Sequence, residues 1–162
     1  MAEEKVVVVT AIVNDILRVR SKSTDEVKTV LEDILIKAQE VFGMISEFQK
    51  QFISDDTRPM DFYYNVMDNL TGCYMFLTPI VSMLDALVDN RSLNYYHMTK
   101  LQIQKTGEKF TSAPIEREAD QYVTEERYYL AVFSGFLDAC KQGIQTCRTR
   151  IREIETEKDL NK

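Results

Sequence analysis

The chain has 162 residues, one domain's worth, with 44% hydrophobic and 28% charged side chains, five glycines, three prolines and no tryptophan. So few breakers leave few turns, and the long elements this implies are helices. The net charge of −6 sits in the first half, where residues 1–90 carry 8 basic and 15 acidic side chains against 12 and 11 in residues 91–162; this balance argues against a dedicated duplex-DNA binder but leaves room for one local basic face.

Residues Val6 to Val19 mix two signals. The β-branched run Val6–Val9 favours extended structure, while Ile12, Ile16 and Val19 fall at helical spacing; a helix is expected, with the start left open between helix and strand. Ser23-Thr24-Asp25-Glu26 has the Ser-x-x-Glu pattern of a capping box. Behind it Val27, Leu31, Ile34, Ala38, Val41, Ile45, Phe48 and Phe52 alternate in steps of four and three, an unbroken heptad seam over ~40 Å of helix. The stretch Asp55 to Pro59 is expected to end it.

A second long helix is expected from Pro59 to about Val88. It is apolar over much of its circumference, which places it centrally. Pro79 is expected to kink or break it, and Asp89-Asn90-Arg91-Ser92 to close it. A shorter helix then runs from Leu93 to about Lys105 and stops at Gly107, which suits a left-handed C-terminal cap. From Pro114 to about Glu157 a strict seam follows: Ala119, Val123, Glu126, Leu130, Phe133, Leu137, Cys140, Ile144, Cys147, Ile151 and Ile154. Only Glu126 interrupts it. As one helix this element would be about 65 Å long, more than a domain of this size spans, about 35 Å. The expectation is therefore an all-α, elongated helical bundle, one domain over residues 1–162. Its C-terminal helix (114–158) extends beyond the domain, so its far end, Arg148 to Lys158, is expected to pack on another subunit, on another helix of equal length, or on nothing; Leu137, Cys140, Ile144, Cys147, Ile151 and Ile154 are the candidates for homo-oligomerisation.

Little in the sequence points to catalysis. There is one histidine, His97, and the five glycines are isolated, so neither a phosphate-cradling loop nor a Gly-x-Ser-x-Gly elbow is present. The acidic pairs Asp85/Asp89 and Glu153/Glu157 each lack the second motif a metal would need. No metal or cofactor is expected, and the protein is read as a non-enzyme. Cys73, Cys140 and Cys147 fit no zinc spacing and read as small apolar core residues in a reducing, cytosolic setting. No window reaches ~18 uninterrupted apolar residues, so no membrane span is expected.

Three basic groupings remain: Arg18, Arg20 and Lys22; Lys100, Lys105 and Lys109; and Arg148, Arg150 and Arg152. Single-stranded nucleic acid takes a cationic track with aromatic platforms. The middle group fits that description best, because Tyr95, Tyr96 and Phe110 lie beside it. These six residues are the candidate nucleic-acid contacts, and for the terminal arginines pairing with Glu153, Glu155 and Glu157 is the competing role.

Residues Lys109 to Glu155 also carry a resemblance. Lys109-Phe110-Thr111-Ser112-Ala113-Pro114 leads into an acidic turn with Glu116, Glu118 and Asp120. Then come Tyr128-Tyr129-Leu130 and Phe133-Ser134-Gly135-Phe136-Leu137-Asp138-Ala139, and a helix bearing Lys and Arg to Ile154. In this order the segment resembles the C-terminal half of the UvsY-like recombination mediators of tailed phages. The resemblance implies a helical subunit that assembles into a homo-oligomeric ring in the host cytoplasm. It would bind single-stranded DNA, remodel single-strand-binding protein and help load the recombinase. In that family the DNA contact lies nearer the N-terminal half; here that half is net acidic, so the candidate contacts are taken from this sequence alone. The alternative is a phage or virion structural or adaptor assembly protein without nucleic-acid binding.

Overall fold

The computed structural model describes residues 2–20, 22–53 and 58–160, with side chains from residue 8 onward except that of residue 53. Among these the chain forms five helices and no strand: α1 (Ala2–Val19), α2 (Thr24–Ile53), α3 (Met60–Thr106), α4 (Ser112–Tyr122) and α5 (Thr124–Leu160). The fold is all-α. The Val6–Val9 run is helical, its β-branched residues accommodated in α1. Residues Asp55–Thr57 of the expected turn lie outside the described residues.

The capping box at the start of α2 forms as read. The Ser23 amide and hydroxyl donate to Glu26 Oε2 at 3.1 and 2.9 Å, and the Glu26 amide donates back to Ser23 Oγ at 3.4 Å. The Ser23 hydroxyl is the first cause holding the Glu26 carboxyl below its ordinary value. Along α2 the heptad seam is buried from Val27 to Ile45 and half-buried at Phe48 and Phe52.

The central helix departs from expectation. Asp89–Ser92 does not close it, and Pro79 does not end it; α3 runs through both for 47 residues, about 70 Å. At Pro79 the lost donor leaves the Met75 carbonyl without its helical partner. Met75 itself is 69% exposed. At 89–92 the Asn90 amide folds back on the Ala86 carbonyl at 2.6 Å, and Arg91 turns into the core. The helix ends at Gly107, in the left-handed conformation (φ 76°).

The C-terminal seam is also divided. Val123 (φ −106°, ψ 20°) breaks it into α4 and α5, with its amide turned to the Gln121 carbonyl. Thr124 Oγ donates to the same carbonyl at 2.8 Å, the kind of local side-chain bond that competes with a helix ladder. The break lets Val123 enter the core, fully buried, while α4 turns aside to lie along the end of α3.

Helices α1, α2, α5 and the first two-thirds of α3 form a four-helix bundle, and α3 with α5 makes its largest interface. These two run antiparallel: Arg91 meets Glu126 at one end, and Leu70 sits beside Gly143 farther along. Phe42 of α2 stacks on Phe136 at 3.9 Å and meets Phe133 edge-on, which seats α2 on α5. Beyond Arg91, α3 leaves the bundle, and α4 folds back along it to form a two-helix arm.

Of the coverings expected for the overlong helix, the structure supplies another long helix of the same chain. The α5 helix, 37 residues and about 55 Å, is matched in length by α3. Leu137, Cys140, Cys147 and Ile151 are buried, and Ile144 and Ile154 half-buried, within the chain's own core. The seam expected to bind another subunit is covered by α2 and α3, and only residues 155–160 are exposed throughout. Likewise α3 contains an 18-residue window with mean hydropathy 1.5 and is long and apolar enough, by those measures, to cross a membrane. Of that window 39% is buried inside the fold, where α3 packs against all four other helices.

Candidate nucleic-acid interface

The arm carries all six candidate contacts, but the structure divides them between two sides. Tyr96 and Phe110 meet edge-on at 6.1 Å, and Lys100 places its ammonium over the Phe110 ring at 5.4 Å. Lys105 and Lys109 flank the Gly107 turn at the tip, both exposed. Tyr95 belongs elsewhere: it stacks on Tyr122 of α4 at 4.8 Å, with its hydroxyl 3.5 Å from Glu118 Oε2.

Behind Tyr122 lies a buried ion pair that the sequence showed only as a flaw in the seam. Arg91 and Glu126 are 3% and 0% exposed, and Arg91 Nε donates to Glu126 Oε1 at 2.7 Å. Arg91 Nη1 donates to the Lys22 carbonyl in the α1–α2 turn at 2.7 Å, and Nη2 to the Tyr122 hydroxyl at 3.1 Å. Its guanidinium carbon stands 5.0 Å from the Tyr122 ring centroid. One side chain thus ties α3 to the α1–α2 turn, to the end of α4 and to α5. Glu126 Oε2 is buried without a hydrogen-bond partner. A glutamate at a seam position was the available signal; its partner, placed in an expected turn, gave none.

Arg91 also forms the floor of an open groove of about 550 Å³ where the arm leaves the bundle, lined by Arg20, Lys22, Asn94, Tyr95, Met98 and Tyr122. This joins Arg20 and Lys22 of the first basic grouping to Tyr95, one aromatic of the second. On another side of α3 a shallow cavity of about 440 Å³ is lined by Ser92, Leu93, Tyr96, Ala119, Glu116 and Asp120, and carries carboxylates instead of cations.

The pairing of the cations is uneven. Lys22 bonds Glu26 at 3.2 Å, and the terminal grouping is partly engaged, with Arg150 on Glu153 at 3.0 Å. Among the described residues, Arg20, Lys100, Lys105 and Lys109 have no carboxylate partner, and neither do Lys28, Arg117, Arg148 and Arg152. His97 is exposed. Among the described residues no three His, Cys, Asp or Glu side chains converge as a metal site would require.

The fold defines this chain as an all-α helical-bundle protein with a projecting two-helix arm. No protein-family model, no curated protein and no solved structure matches it.

Proposed function

We propose that this is a non-catalytic protein that binds single-stranded DNA through its arm, acting as a mediator in recombination. The observation that carries this reading is the grouping of Lys100, Lys105 and Lys109, none with a carboxylate partner, beside Tyr96 and Phe110 on the projecting arm, with Arg20 of the bundle lining the groove at the arm's base together with Tyr95 and Tyr122. Phosphates take up free cations at little cost, whereas a lysine already paired must first give up its carboxylate. The likeness of residues 109–155 to the UvsY-like mediators supplies the role: subunits that self-associate in the host cytoplasm and work alongside a recombinase and single-strand-binding protein. With the 137–154 seam spent on the chain's own core, self-association on this reading uses other surfaces.

The test is fluorescence anisotropy of a labelled strand of about 30 nucleotides. Four phosphate contacts correspond to a salt slope near −3, so affinity should fall roughly fifty-fold between 50 and 200 mM salt. Replacing Lys100, Lys105 and Lys109 together by serine should flatten that slope by about 2. An absence of binding at low salt would remove the reading. A second reading, a helical adaptor or structural assembly protein, has its own observation: Leu93, Met98 and Leu101 are 57%, 68% and 51% exposed and share about 140° of the arm's surface.

A further inference from the structure

We infer that the groove at the base of the arm is a subsite for one nucleoside phosphate, the base lying against Tyr95 and the phosphate between Arg20 and Lys22. The inference deepens the single-strand reading and rests on it for the source of the nucleotide.

Three features of the groove point to this ligand. Its charge is the first: in a chain of net charge −6 the groove is lined by Arg20, Lys22 and Arg91, with carboxylates only behind its lining, Glu126 on Arg91, Glu26 on Lys22 and Glu118 on the Tyr95 hydroxyl. Arg20 has no carboxylate partner among the described residues, and Lys22 is held only by Glu26, both side chains about half exposed. Such an exposed pair is weak and yields readily to a phosphate.

The second feature is the aromatic platform. Tyr122 is fixed by the Arg91 hydrogen bond and by contact with the Arg91 guanidinium, and Tyr95 stacks on it with an interplanar angle of 27°. Because Arg91 is itself locked by Glu126 and the Lys22 carbonyl, the ring pair is ordered before any ligand arrives. A pre-ordered platform avoids the entropy cost of arranging it on binding. Both rings are half-buried and line the groove. Stacking on them tolerates any base.

Third is the arrangement around the platform. Asn94 and Met98 are exposed on the same groove wall; the amide offers a donor and an acceptor to a base edge, and the thioether a polarizable flank. A volume of about 550 Å³ falls within the range of ligand clefts. The acidic cavity on another side of α3 lacks the cations, so charge marks out this groove.

The experiment uses the full chain. Anisotropy with the labelled strand is measured for the parent, Arg20→Ser/Lys22→Ser, Tyr95→Leu and Tyr95→Phe, with circular dichroism and denaturation midpoints checking the fold. Tyr95→Leu should weaken binding about tenfold, one stacked base's worth, and Tyr95→Phe should keep it. The double neutralisation should weaken binding and flatten the salt slope by about 0.7, one phosphate's worth. Parent-like affinity and slope in the double and Tyr95→Leu variants, with the parent binding well, would overturn the subsite and leave the strand-binding reading intact. Should the parent itself not bind the strand, that reading fails, and thymidine monophosphate is titrated while the tyrosine ring resonances are followed by NMR. Shifts confined to Tyr95 and Tyr122 would keep the groove as a free-nucleotide site; no shift would overturn it too.

Discussion

Arg91 and Glu126 show how much can rest on one pair of side chains. Two ions with almost no exposure are retained because each is the other's partner and Arg91 also satisfies the Lys22 carbonyl and the Tyr122 hydroxyl. Removing one partner strands the other in the core. Glu126→Ala should therefore cost about 3–5 kcal/mol, and Arg91→Met/Glu126→Leu should recover much of it. Urea denaturation of the three proteins checks this; equal loss in the single and double variants would show that packing, not charge, is what the site supplies. The thiols are a second residue-scale case. Burial pushes Cys140 up to about 12 and Cys147 to about 11, and Cys73 is 3% exposed. Iodoacetamide near neutral pH should modify none of the three in the native protein and all three after unfolding. Both shifted thiols hold their protons more tightly folded than unfolded. Their contribution to stability is thus complete below the ordinary value of 9.0 and is lost as pH rises toward 11–12.

At the scale of the element, α5 carries two glycines with opposite roles. Gly135 is exposed and a Cβ there would meet nothing within 4 Å, whereas one at Gly143 would lie 2.5 Å from Leu70 Cδ1 and 3.8 Å from Phe52. Gly135→Ala should stabilise the protein by about 0.5–1 kcal/mol through helix propensity alone. Gly143→Val should cost about 1–3 kcal/mol, because Leu70 and Phe52 must make room. Thermal denaturation separates the two, and a stabilising Gly143→Val would mean that α3 and α5 pack less closely than described. The helix ends are of two physical kinds. The capping box and Gly107 are local devices, complete within four residues, and both form as expected. Asp89–Ser92 looks like a turn by the same local criteria, yet Arg91 gains a buried partner 35 residues away. That gain keeps the helix going.

For the whole molecule, the pairing of α3 with α5 decides what the C-terminal seam is for. Ile151 is 6% exposed inside one chain. Ile151→Asp should unfold or loosen the bundle by several kcal/mol, instead of merely releasing subunits from one another. Sedimentation velocity and urea denaturation on the same variant distinguish the two: a lowered midpoint is expected, and an unchanged midpoint with a smaller particle would return the seam to an assembly role. The arm follows from the same pairing. Once α3 outruns the bundle, α4 alone covers its end, and Leu93, Met98 and Leu101 stay exposed beside the lysines.

The sequence by itself determined the helical class, the α2 seam, the caps at Ser23 and Gly107 and the burial of the cysteines. Each depends on spacing or on residues within a turn of one another, and helix periodicity records such information directly. Only the tertiary structure decided that two expected helices are one, that the last is two, and that the 137–154 seam faces inward. It alone brought Arg20 and Lys22 to Tyr95 and Tyr122, and gave Glu126 its partner. An apolar stripe states that a face must be covered; what covers it depends on which helices lie side by side, and pairwise packing over tens of residues leaves no periodic mark in the chain.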